Sequence, residues 1–145
     1  MEPDPDSFGY LEQTIAANAV GNVQAFPVAA SDAPATLPLY ISTDNRGDNR
    51  LYASGEDRPQ VEVTARPLDA LLRENKIDTV DLIKIDVQGY EPKVIAGLRE
   101  TITASPDLTL LTEFWPQGIA EAGGDANEFL QTLRKLGLTL HELQP

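Results

Sequence analysis

The sequence predicts an α/β fold with an antiparallel β insertion in its middle. Strand-like and helix-like stretches alternate through the second half, the pattern of βαβ units around a parallel sheet. Leu82 to Val87 is mostly apolar or β-branched, broken only by Lys84 and Asp86, as in a parallel strand covered on both faces. Val61 to Ala65 alternates apolar with polar residues, as a half-buried strand in the insertion does.

In chain order, Asp4-Pro5 opens a helix, Asp4 as N-cap and Pro5 at its first position. Phe8, Leu11 and Ile15 make its apolar stripe, and Gly21 is expected to end it. Asn22 to Ala30 reads as a strand closed by Ser31-Asp32, Ala35 to Ser42 as a second extended run, and Leu51 to Ala53 as a short third. Between the last two, Thr43 to Arg50 is a polar turn that reads either as a solvated hairpin turn or as a loop over a substrate. Pro67 starts a short helix with Leu68, Leu71 and Leu72 on one face. After the Leu82 strand, a helix carrying Val94, Ile95, Leu98 and Ile102 runs to Ser105-Pro106. Leu108 to Phe114 is the next strand, Gly118 to Gly124 a loop or weak helical turn. Asp125 caps a helix with Phe129, Leu130, Leu133 and Leu136, ended by Gly137. Leu138 to Leu143 reads as a final strand, cut short at Pro145.

The 145 residues suit a single domain, 1–145, with one core. The net charge of −12 and the lack of clustered Lys and Arg argue against nucleic acid as a partner. No apolar run approaches the roughly 20 residues that span a bilayer. The acidic start MEPDPDSF is unlike a signal peptide, so no membrane partner and a cytoplasmic location are expected. With no cysteine and one histidine, His141, no metal site is expected. His141 itself reads as an ordinary strand residue.

The densest stretch is Val80 to Gly97, VDLIKIDVQGYEPKVIAG, a strand, a turn with Gly89, and a helix with Pro92 at its first position. Ligands in open α/β sheets bind beyond the carboxyl ends of strands, where Asp86 to Glu91 lie. Asp86 and Glu91 read either as ligand contacts or as a strand-end residue and a helix cap. Lys84, inside an apolar strand, needs water or a carboxylate and is expected in a structural ion pair.

Taken together, several segments resemble the FkbM family of methyltransferases. They are Glu2-Pro3-Asp4-Pro5, Asn22-Val23 to Ser31-Asp32, Gly47-Asp48-Asn49-Arg50-Leu51, Arg66-Pro67-Leu68-Asp69, and Ile83-Lys84-Ile85-Asp86-Val87-Gln88-Gly89 with Glu91 beyond. The family usually has Glu where this chain has Gln88. The resemblance implies a Rossmann-like class I methyltransferase sheet that uses S-adenosylmethionine to methylate an oxygen of a sugar or small-molecule acceptor. By position, Glu2 would hold the ribose hydroxyls with Asp4 beside it, and Ser31 and Asp32 would lie at the adenine edge. Asp86 would face the methionine end of the cofactor, and Glu113 would line the acceptor side. Asp86 and Glu113 are the candidate catalytic carboxylates, and Glu91 and Trp115 the candidate substrate contacts. Tyr90 and Trp115 flank the expected pocket mouth.

Such enzymes begin with a strand and a glycine-rich turn under the cofactor, neither of which this sequence contains. The expectation is therefore a truncated domain with an incomplete sheet, Met1 being internal to a longer protein. Cofactor binding by this chain alone should be weak or absent, and exposed strand edges should favour self-association. Two other functions fit parts of the pattern. A nicotinamide-dependent oxidoreductase also places an acid after its second strand, but neither GxGxxG nor Tyr-xxx-Lys occurs. A degenerate, non-enzymatic domain would keep the sheet for packing alone.

Overall fold

A computed structural model describes residues 1–143 of the chain. Helix α1 (Pro5–Ala17) starts as the sequence predicts: the Asp4 carboxylate accepts from Asp6 N at 3.2 Å, and Pro5 follows it. It ends before Gly21, because Ala19 makes the left-handed step (φ 51°) and Val20 N reaches back to Ile15 O. Its stripe of Phe8, Leu11 and Ile15 is only half-buried.

The expected strand from Asn22 shrinks to β1 (Ala29–Ala30). Only these two residues find a ladder partner, and Pro27 lacks the N–H to extend it. Strand β2 (Ala35–Tyr40) pairs antiparallel with β3 (Gln60–Arg66), which pairs parallel with β1. The alternation in β3 is as predicted, with Val63 and Ala65 buried and Glu62 and Thr64 exposed. The polar turn holds a 3-10 turn, Arg46–Asp48. In place of a third strand at Leu51–Ala53, a lone bridge joins Arg50 to Tyr40.

Helix α2 (Leu68–Glu74) follows Pro67, which is its N-cap. Strand β4 (Leu82–Ile85) next runs parallel to β5 (Thr109–Thr112), in the register Ile83↔Leu110 and Ile85↔Thr112. Coverage on both faces does not hold: Ile83 and Ile85 face the core, while Leu82 is 63% exposed and Leu111 41%. Lys84 does make its ion pair, 2.8 Å from Asp86.

The long helix expected after the turn divides into α3 (Glu91–Ala96), with Pro92 second, and α4 (Arg99–Ala104). The break is stabilised from outside, because Asp69 of α2 accepts from Glu100 N, Thr101 N and Thr101 Oγ1 at 2.7–3.0 Å. A side chain from another element thus caps α4. Val94, Ile95, Leu98 and Ile102 are all buried as the periodicity predicts.

Residues expected as a loop or weak turn form α5 (Pro116–Glu121). Helix α6 (Ala126–Lys135) has its expected Asp125 cap, and Gly137 beyond its end takes φ 89°. Leu138 to Leu143 forms no strand, having no paired neighbour among the described residues, and Pro145 lies outside them. No described helix is long and apolar enough to cross a membrane.

The single sheet expected from the sequence is therefore two, a three-stranded β1-β3-β2 sheet and a two-stranded β4-β5 sheet. Each has its own core. The larger is built on Ile85, Val94, Ile95, Leu98, Phe129 and Leu133, the smaller on Ala29, Leu39, Val63 and Ala65. Leu37 and Leu51 touch both.

Candidate functional site

A cleft of about 580 Å³ lies between the two sheets. Ala29 and Ala30 line one wall and Ile83, Ile85 and Asp86 the other. Glu2 lines it as well, as do Arg46, Gly47 and Asn49 of the polar turn. Parting the sheets thus brings two of the sequence-predicted cofactor residues, Glu2 and Asp86, onto one cavity.

Both carboxylates are already partly engaged. Glu2 Oε1 accepts from Asp4 N at 2.8 Å. Asp86 accepts from Lys84 Nζ on one oxygen and from Gln88 Nε2, at 3.1 Å, on the other. Each side-chain cation lining the cleft has an acidic partner, Lys84 with Asp86 and Arg46 with Asp6 at 3.3 Å. Among the described residues, the cleft therefore presents no unpaired side-chain cation to a phosphate.

The other predicted cofactor residues lie off the cleft. Asp4 is buried, capping α1 and accepting from Ser7 Oγ and Asn49 Nδ2. Ser31 is also buried, its hydroxyl between Asp32 and the Tyr90 hydroxyl, 3.3 Å away. Tyr90 is accordingly an inside residue and does not flank a pocket mouth. Asp32 pairs with Lys93 at 2.9 Å, and that hydrogen bond holds its carboxyl below the ordinary value.

The three acceptor-side candidates group beyond the ends of β4 and β5. Glu91 is fully enclosed: Oε1 accepts from Val87 N at 3.1 Å, and Oε2 has no partner. It braces the turn from beneath. Glu113 follows β5, and its N–H donates to Ile85 O. Partial burial, then the charges of Asp86, Glu91 and Asp48, push the Glu113 carboxyl above its ordinary value. Trp115 is half-buried, with the Arg50 guanidinium 5.0 Å from its ring centroid.

Close approach of backbone explains the glycines here. Gly89 takes φ 99°, and a Cβ on it would stand 2.9 Å from Gly118 Cα. A Cβ on Gly118 would in turn meet the Trp115 ring, 2.6 Å from Cζ3. The turn after β4 thus seats on the start of α5, which seats Trp115.

Sequence reasoning missed Arg50, Arg58 and Tyr52. Arg50 makes two bonds to Asp48 (2.9 and 3.2 Å), reaches Glu121 at 3.5 Å, and lies 5.9 Å from the Tyr52 ring centroid. Arg58 bonds Asp48 and Glu56 at 2.7 and 2.6 Å. Together they tie the polar loop to α5. The local signal was the segment Gly47 to Leu51, where Asp48 lies two residues from Arg50, whereas Glu121 and the Gln88 partner of Tyr52 are distant in sequence.

A family model described as the Methyltransferase FkbM domain matches residues 1–139. Among curated proteins, the chain is similar to the 2-O-methyltransferase NoeI of Sinorhizobium fredii (strain NBRC 101917 / NGR234). The two are 27% identical over 136 residues, covering 83% of this chain and 54% of the relative. The chain thus spans about half the length of that relative. No solved structure matches it significantly. With the family match extending over nearly every described residue, the chain belongs to the FkbM methyltransferase domain family.

Proposed function

We propose that this chain carries part of the working site of an S-adenosylmethionine-dependent methyltransferase, of Rossmann-like class I descent, that methylates an oxygen of a sugar or small metabolite. The observation that supports it most is the cleft shared by Glu2 and Asp86, acidic at two points and with its cations already paired. Such a lining suits a ligand with hydroxyls and positive charge, and lacks what a phosphate needs. Glu2 would accept from the ribose hydroxyls, and Asp86 would attract the amino group. When bound, S-adenosylmethionine supplies an electrophilic methyl group on sulfur.

The chain's own part is then to place and prepare the acceptor. Glu113, at the end of β5, is the group we assign to take the acceptor hydroxyl proton; partial burial and neighbouring carboxylates hold it above its ordinary value, which favours the protonated product of that step. Asp86, held by Lys84 and Gln88, serves as a binding group. Trp115 and the enclosed Glu91 shape the acceptor side from behind. The similarity to NoeI, a 2-O-methyltransferase, supports oxygen as the methylated atom. We also propose self-association through the bare edges and exposed face of the β4-β5 pair, because a two-stranded sheet is poorly stable by itself.

Calorimetric titration of S-adenosylhomocysteine into the chain tests the cofactor reading. The expected result is weak binding that falls roughly tenfold or more with Glu2→Gln or Asp86→Asn, as for loss of a charge-assisted hydrogen bond. Binding indifferent to both substitutions overturns it.

A further inference from the structure

We propose that Tyr52 is a positioning residue for the Asp86 carboxylate, acting through the backbone of Gln88. The inference rests on the reading of Asp86 as a cofactor contact. The Tyr52 hydroxyl donates to the Gln88 carbonyl at 2.6 Å, across 36 residues of sequence. Gln88 takes φ 54°, a left-handed conformation that a residue with a side chain adopts only when its surroundings hold it there. The same residue lines the cleft and donates its amide to Asp86 Oδ1 at 3.1 Å. Whether that amide reaches Asp86 depends on the backbone angles that the Tyr52 bond secures.

The other braces on the turn act elsewhere. Glu91 holds the N–H of Val87, and Gly89 rests on Gly118, but neither touches the Gln88 carbonyl. Tyr52 is itself well anchored. Its ring packs against the larger core, and Arg50, fixed by Asp48 and Glu121, lies over it. Burial first of all raises the Tyr52 phenol above 10, so it remains a donor at neutral pH. A contact path therefore runs from the polar loop through Arg50, Tyr52 and Gln88 to Asp86. The loop that reads from sequence as a solvated turn or a substrate cover acts here as a support for the cofactor side.

The test is a double-substitution cycle in the intact chain, with S-adenosylhomocysteine as probe and amide hydrogen exchange as a second readout. Tyr52→Phe keeps the ring and removes one hydrogen bond. It should weaken S-adenosylhomocysteine about fivefold in the wild-type background, and less than about twofold where Asp86→Asn is already present. It should also speed exchange of the Val87 and Tyr90 amides, both hydrogen-bonded in the turn, while β4 stays protected. Equal weakening in both backgrounds, or none, overturns the role. A wild-type chain that binds no S-adenosylhomocysteine leaves the titration without a readout. The exchange data then decide separately, and unchanged Val87 and Tyr90 amides refute the positioning claim.

Discussion

Replacing Gly118 by alanine probes the packing that joins the turn after β4 to Trp115. A Cβ there would meet Trp115 Cε3 and stand 2.6 Å from Cζ3, where ordinary contact begins at 3.4 Å, so the ring must retreat by more than 0.8 Å. Gly118 is buried and Gly89 lies against its backbone, which leaves little room for the helix to move instead. Overpacking of this kind costs about 1–3 kcal/mol. Alanine's better helix propensity returns about 0.5–1 kcal/mol, so the expected net loss is about 1–2 kcal/mol. Trp115 is the chain's one tryptophan, so its emission reports this site alone. Urea unfolding followed by that emission should show a lower midpoint with an unchanged slope, and a red-shifted native spectrum as the ring leaves its seat beside Arg50. Gly118→Ala with wild-type midpoint and wild-type emission would refute the account of Gly118 as the seat of the ring.

Three other outcomes are expected. Asp69→Ala removes three hydrogen bonds from the start of α4 and strands the buried Thr101 hydroxyl, costing about 2–3 kcal/mol. Its melting temperature should fall by about 5–10 °C, and a shift below about 2 °C counts against that cap. Burial pushes Asp48 up, but hydrogen bonds from Arg58 and Arg50 outweigh it and leave the carboxyl below its ordinary 3.8. Because the folded value is the lower one, Asp48's stabilisation is present above the ordinary value and is lost as pH falls through the folded one. Denaturation midpoints measured from about pH 6 to pH 2.5 should therefore decline less steeply in Asp48→Asn than in wild type. Finally, Leu82→Lys with Leu111→Lys places charge on the exposed face of the β4-β5 pair, and sedimentation should show any self-association reduced. Unaltered association would locate it on another surface.

Local chemistry made part of this legible from sequence. The caps at Asp4 and Asp125, the period of β3, and the buried stripe from Val94 to Ile102 are set by neighbouring residues, and all appear as read. Features that need a distant partner were less visible. Asn22 to Phe26 and Leu138 to Leu143 have strand-like composition, but a strand exists only where another edge pairs with it. The glycines near α5 read as loop formers, whereas Gly118 is small because an aromatic ring lies on it. The division of the long helix is set by Asp69, some thirty residues earlier. At the site, Glu2 and Asp86 were found through the strand-end rule and the resemblance. Tyr52 was not, because its partner lies 36 residues away, and neither was Arg50's tie to Glu121, 71 residues away.

The two cores also bear on how the cleft moves. Its walls draw mainly on different hydrophobic clusters, with Leu37 and Leu51 common to both and Ala30 packed on the larger. Contacts from Ser31 to Tyr90 and from Asp32 to Lys93 tie the two sides together, so any widening of the cleft must hinge about that tie. A ligand reaching from Glu2 to Asp86 would act as a staple across the cleft. Its binding would be registered as protection of both sheets at once, far beyond the residues it touches.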